Sequence, residues 1–335
     1  MIPSDNSIGI IGAGSWGTAL TIQLARAGQL PTLWGREDYV IQALENERCN
    51  TTFLPDIPIP DSVYIESDLS KLVAMQNDLL ICVPSHVFRH ILEKIQPDLR
   101  ANSRIIWATK GFELETGKLP HEIAYEVIGK KIPLAVISGP TFATEVGKGL
   151  PTAITVASFN QNFSEEIADR ISDNKFRAYT SKDVVGVEVG GGVKNVLAIA
   201  TGILDGMGFG ANARIALITR GLAELTRLGL ALGGQADTFM GLSGMGDLVL
   251  TCTDNQSRNR RMGIALAAGQ SVKEIEKDIS QVVEGVKAAA AVRKVAVDNR
   301  VEMPICEQVY QILYENLSPE KAVETLMQRQ VKSEK

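Results

Sequence analysis

At 335 residues and 45% hydrophobic composition, the chain is long enough for two domains, each with its own core. A formal net charge of −5 and no long Lys/Arg run argue against nucleic acid or an anionic membrane surface as the main partner, and leave anionic metabolites to local Lys and Arg. Cys49, Cys82, Cys252 and Cys306 form no Cys-x-x-Cys, and neither a charged-then-apolar leader nor an uninterrupted apolar stretch of about 18 residues is present, so a cytoplasmic protein with no integral membrane segment is expected.

The first predicted strand, residues 8–11, runs into Gly12-Ala13-Gly14-Ser15-Trp16-Gly17 and then an apolar-periodic helix that stops at Gly28. In a Gly-x-Gly-x-x-Gly turn of this kind Gly12 permits the tight exit from the strand, Gly14 lets backbone amides approach a pyrophosphate, and Gly17 lets the helix pack close to the sheet. A second apolar run at residues 31–34 completes a βαβ unit and lifts the pattern above a bare glycine turn. After that strand Arg36 stands in the position that accepts the 2′-phosphate of NADP, while Glu37 keeps the 2′-hydroxyl of NAD open. NADP(H) is therefore the expected preference, with NAD(H) as the alternative and Arg36 as a plain solvated charge the bland reading.

Further β-like runs at residues 63–65, 78–84, 104–110 and 134–140 mostly alternate with helical patterns such as residues 86–96, the signature of a doubly wound, mostly parallel sheet. Runs at 152–156 and 176–179 extend it. From Asp183 onward strand signals fade, and helices are predicted at 213–228, 260–268, 282–297 and 304–315. The expected architecture is α/β: a Rossmann-type dinucleotide-binding domain over residues 1–182, then an all-α substrate and catalytic domain over 183–335.

Ligands of open α/β sheets collect beyond the carboxyl ends of the strands, where Lys110, Gly139 and Thr141 fall. Lys110 is a compact cation suited to a phosphate or carboxylate, and Gly139 with Thr141 offers backbone and hydroxyl donors; otherwise they are a strand-end lysine and a turn. Between Glu188 and Asp205 the only charged side chain is Lys194, in a glycine-rich apolar stretch. An ammonium desolvated there releases its proton more readily, as a general acid/base for a secondary alcohol and its ketone requires, unless it snorkels to the surface. All three histidines lie earlier in the chain, so the second domain has no histidine base.

Residues 241–253 read as too rich in glycine and hydroxyls for a core helix. Asp247 and Thr251 are candidates to orient the lysine and substrate, and Ser257, Arg258 and Asn259 form a donor cluster suited to a phosphate. The bland alternative is a capped loop and a solvated, Arg-rich helix start. No His, Cys and carboxylate grouping has a metal-ligand spacing, so no metal is expected.

Taken together, Gly12-Ala-Gly-Ser-Trp-Gly-Thr-Ala19, Ala108-Thr-Lys-Gly111, Ser138-Gly-Pro-Thr-Phe-Ala143, Gly192-Val-Lys-Asn195, Gly244-Met-Gly-Asp-Leu248 and Asn255-Gln-Ser-Arg-Asn259 resemble the bacterial NAD(P)-dependent glycerol-3-phosphate dehydrogenases over nearly the whole chain. The resemblance implies reversible reduction of dihydroxyacetone phosphate to sn-glycerol 3-phosphate for glycerophospholipid synthesis, with Lys194 as proton donor and acceptor. It implies substrate contacts from Lys110, Gly139, Thr141, Asp247, Ser257, Arg258 and Asn259, supported by Asn195 and Thr251. It implies cofactor contacts from Ser15, Trp16, Arg36, Lys110, Ala143, Arg258, Val282 and Glu284. Thr141 stands where many members carry serine, and either hydroxyl donates. Because many members of that family are dimers, the resemblance implies a homodimer; a helix such as 213–228 could present an apolar face to a partner, and a buried intrachain face explains that helix equally well.

Two rivals follow from the same residues. A β-hydroxyacid dehydrogenase of related architecture, acting on a carboxylate, accounts for Lys194 and Asn195 but not for the donors at residues 255–259. A dinucleotide-binding sensor without turnover would tolerate loss of Lys194.

Overall fold

The computed structural model describes residues 7–279 and 283–330, which divide into two compact units: residues 7–113 with 118–188, and residues 114–117 with 189–279 and 283–330.

The first unit is built on ten strands: β1 (Ser7–Ile11), β2 (Leu30–Trp34), β3 (Cys49–Asn50), β4 (Leu54–Pro58), β5 (Tyr64–Glu66), β6 (Asp78–Ile81), β7 (Arg104–Trp107), β8 (Leu134–Ser138), β9 (Thr152–Ala157) and β10 (Phe176–Ser181). Eight of them form one sheet in the order β10-β9-β8-β7-β6-β1-β2-β5. From β5 to β8 all neighbours are parallel, whereas β9 pairs antiparallel to β8 and β10 follows β9. Period-two alternation assigns the side chains: Leu80, Ile106, Ala135 and Ile137 enter one core, and Leu79, Ile81, Ile105, Trp107, Leu134 and Val136 the other. Burial on both faces is why these strands read as unbroken apolar runs. The hairpin of β3 and β4 went unmarked in the sequence, being only two and five residues long and carrying Pro55 and Pro58.

The second unit contains no strand among its described residues. Its spine is the helix Val184–Gly206, which starts in the first unit and passes into the second at Val189. Its length and hydropathy would suffice for a membrane span, but 94% of the apolar window is buried inside the protein, as befits a core helix. Helices Ala211–Ala231, Asp247–Thr253, Arg258–Ala267, Val272–Ile279, Glu284–Asp298, Pro304–Tyr314 and Pro319–Met327 complete the unit, with a short helix Ala236–Phe239 and a π-helical turn Leu242–Gly246. The expected loop at 241–253 is thus corrected: Asp247–Thr253 is a helix whose Asp247, Leu248 and Cys252 are fully enclosed. Glycine reads as loop, but here it removes the Cβ that would hold two backbones apart. A Cβ on Gly190 would lie 2.2 Å from the Ser243 carbonyl oxygen, and one on Gly244 2.2 Å from that of Phe239.

Candidate active site

At the end of β1, Gly12 turns with φ +119° while its N–H donates to the Trp34 carbonyl at 2.9 Å. That backbone shape favours glycine, and a Cβ on Gly17 would sit 1.9 Å from the Gly12 oxygen, so both positions exclude side chains. Helix Ser15–Arg26 follows with Gly14 as its N-terminal cap, and a Cβ built on Gly14 meets nothing within 4 Å. Ser15 and Trp16 occupy its first turn, and the Trp16 indole Nε1 is buried without a hydrogen-bond partner. An open approach at Gly14, with an orphaned donor in the same first turn, fits a dinucleotide phosphate at a helix N-terminus. Arg36 is 78% exposed beyond β2 and donates from Nε to Glu37 at 2.9 Å, so the two ribose-reading candidates pair with each other.

Beyond β7 and β8, Lys110, Gly139 and Thr141 do come together: Lys110 Nζ donates to the Gly139 carbonyl at 3.5 Å and Thr141 Oγ1 to the same oxygen at 3.3 Å. Gly139 has φ +148°, and a Cβ there would lie 2.9 Å from the Ile154 Cα. Ala143 opens the next short helix, Ala143–Gly147.

In the second unit Lys194 is 7% exposed, so it does not snorkel. Its Nζ donates to Asp247 Oδ1 at 2.5 Å and to Thr251 Oγ1 at 3.0 Å. Thr251 in turn donates to the Asp247 carbonyl at 2.6 Å, which leaves its lone pairs to the ammonium. The π turn, closed by Gly246 N–H on the Gly241 carbonyl at 3.1 Å, delivers Asp247 to this position. Burial pushes the neighbouring Cys252 thiol up to about 12, so it stays a neutral packing group.

Next to the lysine a second network has a fixed polarity. Gly285 N–H donates to Asn259 Oδ1 at 2.9 Å, so the Asn259 amide nitrogen faces Asn195 Oδ1, also at 2.9 Å; the Asn195 nitrogen then donates to Glu284 Oε2 at 3.2 Å. Ser257 caps helix Arg258–Ala267 by accepting the Arg260 N–H at 3.2 Å. Ser257 and Asn259 are therefore engaged within the protein; Arg258 lies between them in the first turn of the helix and is half-buried. Sequence reasoning missed Arg260, which is buried on Asp205 at 2.7 Å; no local spacing signals a pair 55 residues apart. Val282 lies outside the described residues. Among the described residues no group of three or more His, Cys, Asp or Glu is set to hold a metal ion.

A dinucleotide turn on one unit and a buried, counter-charged lysine on an all-helical second unit are the marks of the two-domain Rossmann-type dehydrogenases. Residues 7–164 match the model of the NAD-dependent glycerol-3-phosphate dehydrogenase N-terminus, and residues 183–324 that of its C-terminus. A glycerol-3-phosphate dehydrogenase [NAD(P)+] of Yersinia pestis is 55% identical over 330 residues, covering 98% of this chain and 97% of the relative. The crystal structure of a glycerol-3-phosphate dehydrogenase from Coxiella burnetii is 46% identical, with a TM-score of 0.94 over 98% of this chain and all of that one. A ketopantoate reductase from Ralstonia eutropha, 15% identical with a TM-score of 0.60 over 95% of this chain and 99% of its own, shares the fold alone. The chain belongs to the NAD-dependent glycerol-3-phosphate dehydrogenase family.

Proposed function

We propose that the protein reduces dihydroxyacetone phosphate reversibly to sn-glycerol 3-phosphate, using NADP(H) in preference to NAD(H), and so supplies the backbone of glycerophospholipids. The observation that carries the reading is Lys194, an ammonium enclosed in an apolar helix and held on Asp247 and Thr251. When bound, the dihydronicotinamide supplies hydride to the ketone carbon. Lys194 gives its proton to the ketone oxygen as negative charge develops there, and takes it back in the reverse direction. Asp247 and Thr251 hold the amine in place, and Asn195, oriented by Asn259 and Glu284, donates to the substrate. Arg258 fixes the substrate phosphate, with Lys110, Gly139, Thr141, Ser257 and Asn259 completing the substrate contacts. Gly12, Gly14, Ser15, Trp16, Gly17, Arg36, Lys110, Ala143, Arg258, Val282 and Glu284 contact the cofactor. The exposed Arg36 supports the preference for NADP(H). Four free cysteines support a cytoplasmic enzyme, and exposed Ile215 and Leu230 on helix Ala211–Ala231 support a homodimer.

The test is oxidation of NADPH and of NADH with dihydroxyacetone phosphate, comparing wild type with Lys194→Ala. Turnover that the substitution lowers by at least about 100-fold while NADPH still binds is the expected result. No turnover with either cofactor, or activity on a β-hydroxyacid instead, overturns the assignment.

A further inference from the structure

The hairpin of β3 and β4 serves the glycine turn through one side chain. Asn50 is 1% exposed, and its amide nitrogen donates to the Ala13 carbonyl at 2.9 Å and to Thr18 Oγ1 at 2.8 Å. Its amide orientation is fixed from the other end, because the Phe53 N–H donates to Asn50 Oδ1 at 3.1 Å.

Ala13 lies between the first two glycines of the turn, and its carbonyl shares a peptide unit with the N–H of Gly14. The peptide is trans, so the two groups point in opposite directions. Gripping the carbonyl therefore fixes the Gly14 N–H on the side of the peptide away from Asn50, and the space about the Gly14 Cα is open, since a Cβ there would meet no atom within 4 Å. Among the described residues no protein group accepts that N–H, whereas the Gly14 carbonyl is used by Thr18 N–H at 2.9 Å. A second grip on Thr18, in the following turn of the helix, ties the hairpin to the same segment from both sides.

We propose that Asn50 is a positioning residue for dinucleotide binding: by locking the Ala13–Gly14 peptide it presents the Gly14 N–H, already oriented, to the pyrophosphate. A flexible peptide would have to be ordered on binding; a locked one has lost that freedom beforehand. This inference rests on the proposed use of a nicotinamide dinucleotide and adds to it a residue that does not touch the ligand.

Asn50→Asp keeps the acceptor for Phe53 N–H but replaces the donor with an oxygen facing the Ala13 carbonyl; Asn50→Leu removes both. Thr18→Val deletes the other partner of the Asn50 nitrogen and leaves the Ala13 contact. The dissociation constant of NADPH, read by fluorescence, is expected to rise at least about tenfold in both Asn50 variants, and the KM for NADPH with it. The kcat at saturating NADPH and the KM for dihydroxyacetone phosphate stay within about twofold of wild type. Thr18→Val is expected to lower the melting temperature while keeping wild-type affinity, which separates positioning from general loosening. Wild-type affinity in the Asn50 variants, or a loss that tracks melting temperature equally in Thr18→Val, overturns the proposal. If the Asn50 variants do not fold, nitrogen-labelled glycine in the wild type decides: a Gly14 amide that is already rigid in relaxation measurements without NADPH and shifts when NADPH is added upholds the proposal, and one that is mobile until NADPH binds, or does not shift, overturns it. A wild type that binds neither NADPH nor NADH overturns the cofactor reading itself, a different failure from wild-type binding that survives in the variants.

Discussion

Removing one half of the Lys194–Asp247 pair at a time shows how much the enclosed amine depends on its counter-charge. Asp247 is fully buried, the Lys194 side chain is 8% exposed, and the two meet at 2.5 Å. At an effective dielectric constant of about 20, that separation corresponds to about 7 kcal/mol of attraction, set against the desolvation of both charges. Asp247→Asn keeps the shape and removes the charge, leaving a buried ammonium uncompensated, and is expected to lower unfolding stability by about 3–5 kcal/mol. Lys194→Met strands the carboxylate at a similar cost, whereas the double variant buries neither charge. A double-mutant cycle in urea, followed by circular dichroism, should therefore give a coupling of about 3 kcal/mol. In the same Asp247→Asn protein kcat should fall by about 100-fold, because an amine released from its carboxylate no longer sits where the proton is needed. Additivity of the single variants to within about 0.5 kcal/mol would refute the argument, since it would mean the pair contributes nothing beyond its separate members.

Glu224, on helix Ala211–Ala231, accepts the N–H groups of Ile305 at 2.8 Å and Cys306 at 3.2 Å at the start of helix Pro304–Tyr314. Burial pushes this carboxyl from its ordinary 4.5 up to about 7, so the folded state holds the proton more tightly than the unfolded chain does. Its stabilisation is complete below about pH 4.5 and is lost as the pH rises through about 7, a change of about 3 kcal/mol. Urea titrations across that window should show Glu224→Gln with a flatter stability profile than wild type; parallel profiles would disprove the assignment. Gly190→Ala places a Cβ 2.2 Å from the Ser243 carbonyl oxygen, one helical turn before both Lys194 and Asp247. It is expected to lose about 1–3 kcal/mol of stability and part of kcat, and wild-type values in denaturation and steady-state assays would count against the close backbone contact.

The sheet and the lysine were legible in the sequence for related reasons. Strands covered on both faces leave continuous apolar runs, so β6, β7 and β8 declared themselves within a residue or two at their starts. A single charge in an apolar helix likewise marks itself, and Lys194 proved buried. Partners distant in sequence left no such mark. Asn50 reads as an ordinary turn asparagine until the fold brings it to Ala13, 37 residues away, and Arg260 reads as a solvated helix charge until it meets Asp205. Glycine misled only at residues 241–253, where it reads as loop; at the helix contacts elsewhere in the second unit it sits inside helices that the sequence did mark, and for the same packing reason. A Cβ on Gly202 would lie 2.0 Å from the Arg260 carbonyl oxygen, and one on Gly263 2.1 Å from that of Ile199, so these residues are contact points between helices rather than breaks in them.

The choice of cation separates the buried charges that hold the fold from the one proposed to do chemistry. Asp78 is clamped by Arg104 at 2.5 Å and by Arg170, and Asp205 by Arg260 at 2.7 Å and Arg214 at 2.6 Å. Guanidinium groups keep their proton throughout the range in which proteins fold, so these pairs are permanent fixtures. His121, held on Glu188 at 2.5 Å, carries a proton that can leave, but it belongs to the first unit and anchors the start of helix Pro120–Ile128 through the His121 N–H on Glu188 Oε1 at 2.9 Å. In the second unit the buried pair at Asp247 is instead made with an amine, a compact donor able to give up a proton and recover it. An arginine there would satisfy the carboxylate equally well and could not exchange a proton with a ketone oxygen. The presence of lysine at that pair, where structure alone would be served by arginine, therefore agrees with a proton-transfer role and gives Asp247 a reason to be buried in a helix so closely packed by glycine.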